Sequence, residues 1–257
     1  MKKNKGKVLL TFDGGFSCHK AVSEQLLEKH LYGVFGVVAD KINTVGYLQD
    51  EEIVRMVLDG HCIANHSNSY GKHLADNSKP YLEGLTNEEI IQDAILGKDT
   101  LKQKIRAYFD VEKEPEKIID KLSTDYYIVP FGTNNLGSLE VLEELKKHFK
   151  WIRLTNGCSI DGLWSNTGNK RIYPGNYKNP CIGITVAADV RFPDEVKQKI
   201  EEACEVGGIC VVCYHDTNHL YGEGQNIKRE QLDSDIEFIG QKIKSEELEC
   251  VLPKDII

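Results

Sequence analysis

The stretch Lys7-Val8-Leu9-Leu10-Thr11-Phe12-Asp13-Gly14-Gly15 decides how the rest of the chain is read. Its apolar run does not alternate with polar residues, as expected of a strand buried on both faces. The run stops at the carboxylate of Asp13, followed by Gly14-Gly15. Ser17 can then cap a helix reaching about His30, with Val22, Leu26 and Leu27 on one face. The unit is therefore a strand, a polar residue at its C-terminal end, and a covering helix.

Working outward, the unit recurs. Strands are expected at residues 34–38, 62–65, 125–129, 151–154, 181–187 and 209–214, with a last extended piece at 250–252. Amphipathic helices are expected at 50–58 (Asp50 as cap, Gly60 as stop), 87–105, a short segment ending near 122, 138–149, 193–206 and 228–244. Seven or eight such units imply an α/β fold, a parallel sheet covered by helices. A closed (β/α) barrel and an open doubly wound sheet both fit, but the first strand is not followed by G-x-G-x-x-G, which disfavours a dinucleotide fold. No repeat, low-complexity tract or Pro/Ser-rich linker divides the 257 residues, so one domain over 1–257 is expected.

Composition excludes several classes. The net charge of −8 leaves no basic face for a phosphate backbone, so nucleic acid is not an expected partner. No window approaches the ~18 apolar residues of a membrane span. Behind Met1-Lys2-Lys3-Asn4-Lys5-Gly6-Lys7 the apolar run is too short for a secretion signal, so a cytoplasmic protein is expected. The eight scattered cysteines read as reduced, buried thiols. Cys210-x-x-Cys213 looks like half a zinc site, but in a strand i and i+3 point to opposite faces.

In barrels of this class the chemistry sits where the strands end. The first strand delivers Asp13 and the strand near 63 delivers Asn65, His66 and Ser67. Later strands deliver Pro130-Phe131-Gly132, Thr155-Asn156, Asp189 with Arg191, and His215-Asp216. One carboxylate and two histidines at one rim are the makings of an acid–base or metal site. Aromatic residues expected near that rim are Phe16, Tyr70, Phe131, Trp164, Tyr173, Tyr177 and Tyr221. The loop carrying Trp164 is the expected substrate-facing segment.

These residues resemble, in order, the motifs of the polysaccharide deacetylase group (NodB homology, carbohydrate esterase family 4). Leu10-Thr11-Phe12-Asp13-Gly14-Gly15 resembles its Thr-Phe-Asp-Asp-Gly opening. Gly60-His61 through Asn65-His66-Ser67 resembles the strand leading into His-Ser/Thr-x-x-His. Pro130-Phe131-Gly132 resembles the end of Arg-x-Pro-Tyr/Phe-Gly, and 207–216 resembles the final strand with its histidine. The resemblance implies an irregular (β/α)7-8 barrel and a hydrolase acting on an N-acetyl C–N bond of a sugar or related small molecule. It implies Asp13 as general base, His215 as proton donor to the leaving amine, and His66 as a ligand of a divalent, zinc-type metal. Pro130, Phe131, Gly132, Tyr70 and Trp164 are then candidates for substrate contact.

The departures fall on the metal. The second Asp is Gly14, the second metal histidine is Tyr70, and the arginine of the third motif is Ile128. No clean fourth-motif carboxylate is present, Asp161 and Asp189 being the candidates. A catalytic zinc takes three protein ligands and an open position, so the inherited geometry is not expected. Two rebuilt sites are conceivable: Asp13 joins His66 as ligand with His73, His19 or His219 as a third, or Asp13 and His215 work as a metal-free acid–base pair. The competing reading is an inactive pseudo-deacetylase that binds a glycan or sugar-nucleotide intermediate.

Overall fold

The computed structural model describes residues 4–69, 85–109, 115–130, 139–154, 171–188, 194–217 and 227–257. The strands are β1 (Gly6–Phe12), β2 (Gly33–Val37), β3 (Cys62–Asn65), β4 (Ser123–Ile128), β5 (Trp151–Leu154), β6 (Cys181–Gly183), β7 (Val186–Ala187), β8 (Ile209–Tyr214) and β9 (Leu248–Cys250). The helices are α1 (Cys18–Glu28), α2 (Asp50–Leu58), α3 (Asn87–Tyr108), α4 (Pro115–Ile119), α5 (Leu139–His148), α6 (Glu195–Val206) and α7 (Arg229–Lys244). All the pairings are parallel, in the order β6-β5-β4-β3-β2-β1-β8-β7, with β9 added beside β1. The architecture is the irregular (β/α) barrel of the NodB type.

The run expected as one strand at 181–187 is divided. Its first part pairs with β5 at one end of the sheet and its second with β8 at the other, across Ile184 and Thr185. This two-residue step joins the sheet's ends. Thr185 holds it, its amide donating to Val211 O (2.8 Å) and its hydroxyl to Arg171 O (2.8 Å).

The alternation of side chains explains the uninterrupted apolar runs. Val8, Leu10 and Phe12 pack on the helix side, while Leu9 joins Ala64, Ile128, Trp151 and Val211 inside the barrel. Phe12 stacks between Phe35 (4.7 Å) and Tyr214 (5.2 Å) beneath α1, locking β1, β2 and β8 together. Cys210 lies on the helix side, whereas Cys213, 0% exposed, comes beside Asp13 within the barrel. The two thiols therefore cannot share an ion.

Helix starts differ in detail from expectation. At α2 the cap position falls to Gln49, whose amide donates to Glu52 Oε2 (2.9 Å), and Asp50 is the first helical residue. Thr86 caps α3 by accepting from the Glu89 amide. Among the described residues no helix is long and apolar enough to cross a membrane.

Candidate active site

Asp13 is the first residue after β1, and its amide continues the ladder by donating to Tyr214 O (2.9 Å). Leu9, Thr11 and Asp13 share the inward face by the period of two. Thr11 is fully buried and satisfies its hydroxyl on Val212 O (2.9 Å). The register Thr11↔Cys213 sets Asp13 level with His215. The His215 Nε2 lies 3.9 Å from Asp13 Oδ2.

The stronger partner of Asp13 was not expected. Arg153, on β5, is 0% exposed and reaches across the barrel to donate from Nη2 to Asp13 Oδ2. An isolated buried guanidinium is strongly disfavoured, so this pairing is a condition of the fold as well as a feature of the site. The register Ile128↔Arg153 is informative. Ile128 occupies the position where the third motif would carry its arginine, and the next strand over supplies one instead. The sequence signal is a single charged residue in the apolar segment Trp151-Ile152-Arg153-Leu154.

Burial works to raise the Asp13 pKa, but Arg153 first, then His66 and His215, outweigh it and hold the carboxyl below its usual value. Asp13 is therefore ionised at neutral pH. Its Oδ1 is buried without a hydrogen-bond partner among the described residues, as are Arg153 Nε and Nη1.

His66 follows β3 and is 3% exposed. Its Nδ1 lies 2.8 Å from Ile128 O. A carbonyl only accepts, so Nδ1 carries the proton and Nε2 the lone pair. Burial depresses its pKa to about 4, against the opposing pull of Asp13 and the carbonyl bond, so the ring is neutral at pH 7. Gly36 makes room for it: a Cβ there would lie 3.1 Å from Ile128 Cδ1 and 3.3 Å from His66 Cβ. Asn65 fixes the segment from below, donating from Nδ2 to Ala94 O (2.7 Å) and accepting from the Ser67 amide (2.9 Å).

The structure thus brings Asp13, His66 and His215 together, and adds Arg153 and Cys213. Pro130 is buried at the end of β4. Phe131, Gly132, Tyr70, Trp164, His73, Thr155, Asn156, Asp161, Asp189, Arg191, His219 and Tyr221 lie outside the described residues. His19, a candidate third ligand, is fully buried against aromatic rings instead, with Nε2 3.2 Å from His215 O. Two rim aromatics are reassigned. Tyr173 bridges to Ile209 at the start of β8, the far end of the barrel, and Tyr177 packs on it at 4.9 Å while donating to Cys181 O (2.6 Å). Phe16 is also buried, against Tyr47.

Of the positions where the family holds its metal, the described residues include Gly14 and His66. Position 14 has φ +106°, and a Cβ there would lie 2.4 Å from the Phe16 ring, so a side chain at this turn would be strained and would have to displace that ring. Asp13, Cys213 and His215 do place one donor atom each within 4.8 Å of one another, a set that could hold a divalent ion. Two features oppose it: the permanent charge of Arg153 rests on the same carboxylate, and burial pushes the Cys213 thiol pKa up, away from the thiolate a metal needs.

Comparison with known proteins agrees with this fold. The polysaccharide deacetylase family matches over residues 1–149, and the chain belongs to that family. No curated protein matches it. Similar solved structures include a peptidoglycan N-acetylglucosamine deacetylase (13% identity, TM-score 0.54, covering 99% of this chain and 89% of that one). A family 4 acetyl xylan esterase from Clostridium thermocellum, in complex with cobalt, aligns at 16% identity and TM-score 0.52 over 97% of this chain and 89% of its own. A family 4 carbohydrate esterase from Streptomyces lividans, in complex with acetate, aligns at 14% identity and TM-score 0.51 over 98% and 96%.

Proposed function

We propose that this chain, as one domain over 1–257, is a hydrolase that cleaves the C–N bond of an N-acetyl group on a sugar or related small molecule. The observation that carries the reading is the buried Asp13 carboxylate held by Arg153 with His215 Nε2 at 3.9 Å. In this reading Asp13 takes a proton from water as the water oxygen attacks the carbonyl carbon. His215, protonated, donates to the departing nitrogen as the C–N bond breaks, giving acetate and an amine. The depressed pKa makes Asp13 a weak base, so much of the rate rests on holding the reactants in place. No step passes through a metal. Pro130, Phe131, Gly132, Tyr70 and Trp164 are the proposed substrate contacts.

The compartment is proposed to be the cytoplasm, where soluble N-acetylated precursors would be met. Buried thiols such as Cys62, Cys210 and Cys213 suit a reducing environment. A second reading, a pseudo-deacetylase that binds such a glycan without cleaving it, is favoured by the Phe16 ring over Gly14. Acetate release from N-acetylated amino sugars and their oligomers separates the two. The hydrolase reading expects turnover that falls about 100-fold or more in Asp13→Asn and in His215→Gln. Binding of the same sugars with no acetate released would select the second reading.

A further inference from the structure

We propose that the first turn of α1 is a clasp that positions His215, with His19 holding its backbone and Cys18 holding the side chain of Asp216. The inference rests on the role assigned to His215 above. β8 ends at Tyr214, so the His215 carbonyl lies just beyond the regular sheet ladder. His19 Nε2 lies 3.2 Å from that carbonyl, and Cys18 Sγ donates to Asp216 Oδ1 at 3.4 Å. Two consecutive residues of one helix thus grip two consecutive residues of the segment that carries the proton donor.

The grip is rigid for a physical reason. The His19 ring is 0% exposed and walled by Phe12 (5.9 Å), Phe16 (5.6 Å) and Phe35 (5.7 Å). Its bond to a carbonyl requires the proton on Nε2, which leaves Nδ1 a bare acceptor with no hydrogen-bond partner among the described residues. Burial drops its pKa to about 4, so the ring stays neutral and keeps this tautomer at working pH. A buried histidine whose one polar contact among the described residues is to the residue beside Asp13 is a positioning residue.

Two substitutions separate contact from packing. Gln at 19 can present an amide N–H near the Nε2 position, whereas Asn is a methylene too short. In His19→Gln, kcat for acetate release should stay within a few-fold of wild type. In His19→Asn it should fall about 10–100-fold with KM unchanged. A readout independent of turnover is the imidazole spectrum of His215. Asp13→Asn should move the His215 ring resonances in the wild-type and His19→Gln backgrounds, and much less in His19→Asn. Equal movement in all three backgrounds would overturn the clasp. Should the wild-type protein release no acetate, the hydrolase reading fails while the resonance comparison still tests the clasp.

Discussion

Replacing Arg153 by methionine keeps most of the buried volume and removes the charge that Asp13 was folded against. Both side chains are nearly solvent-free, at 0% and 5% exposure, so water cannot screen the carboxylate left behind. Breaking one side of a buried pair costs about 3–5 kcal/mol. In a chain of this size about 1 kcal/mol moves the thermal midpoint by roughly 2–4 °C, so Arg153→Met should lower it by about 10 °C. Asp13→Asn in the same background removes the orphaned charge, and the double variant should recover about 2 kcal/mol or more relative to Arg153→Met alone. Urea and thermal unfolding of the wild type, both single variants and the double variant, followed by circular dichroism at pH 7, give the cycle. A loss under about 1 kcal/mol in Arg153→Met, or strictly additive single effects, would refute the account of this pair.

Three further outcomes follow from the same geometry. His19 and His66 each have a folded pKa near 4, below the ordinary 6.5, so the unfolded chain binds more protons between those values. Stability should therefore fall as pH drops from about 6.5 toward 4, by up to about 3 kcal/mol per ring. Asp235, raised to about 6 by burial, works in the opposite sense, so the measured slope should be shallower than the two histidines alone would give. Thermal midpoints at pH 7, 6 and 5 read this directly, and a flat profile in both wild type and His66→Gln would contradict it. Gly36→Ala should cost about 1–3 kcal/mol and displace His66, since the added methyl meets Ile128 and His66 at 3.1 and 3.3 Å; loss of activity with a normal midpoint would point to the ring's displacement alone. The purified protein should hold far less than one equivalent of zinc after dialysis, and Gly14→Asp should not restore it because of the Phe16 ring. Stoichiometric zinc by metal analysis, with a thiolate-to-metal band on cobalt substitution that Cys213→Ser abolishes, would show the Asp13-Cys213-His215 set to be a metal site after all.

Much of the barrel could be read from the chain because strands buried on both faces leave a plain mark. The runs ending at Phe12, Asn65 and Tyr214 lie where the apolar pattern put them, and they bring Asp13, His66 and His215 together. The division of 181–187 could not be read, because a change of strand partner leaves no trace in hydrophobicity when both partners are buried. Arg153 was legible in principle, since a lone arginine in an apolar strand demands a buried acid, but its partner is 140 residues away. His19 reads as a surface residue at a helix start, and only the approach of α1 to the end of β8 buries it. Tyr173 and Tyr177 fall at the wrong end of the barrel because residues 171–180, before β6, run along its base, which composition cannot reveal.

The most direct measurement is hydrolysis of an N-acetylated amino sugar in water enriched in oxygen-18, with acetate analysed by mass. Acetate carrying one solvent oxygen is expected from the wild-type protein, and essentially none above background from Asp13→Asn. Labelled acetate released equally by both proteins, or by neither, would contradict it.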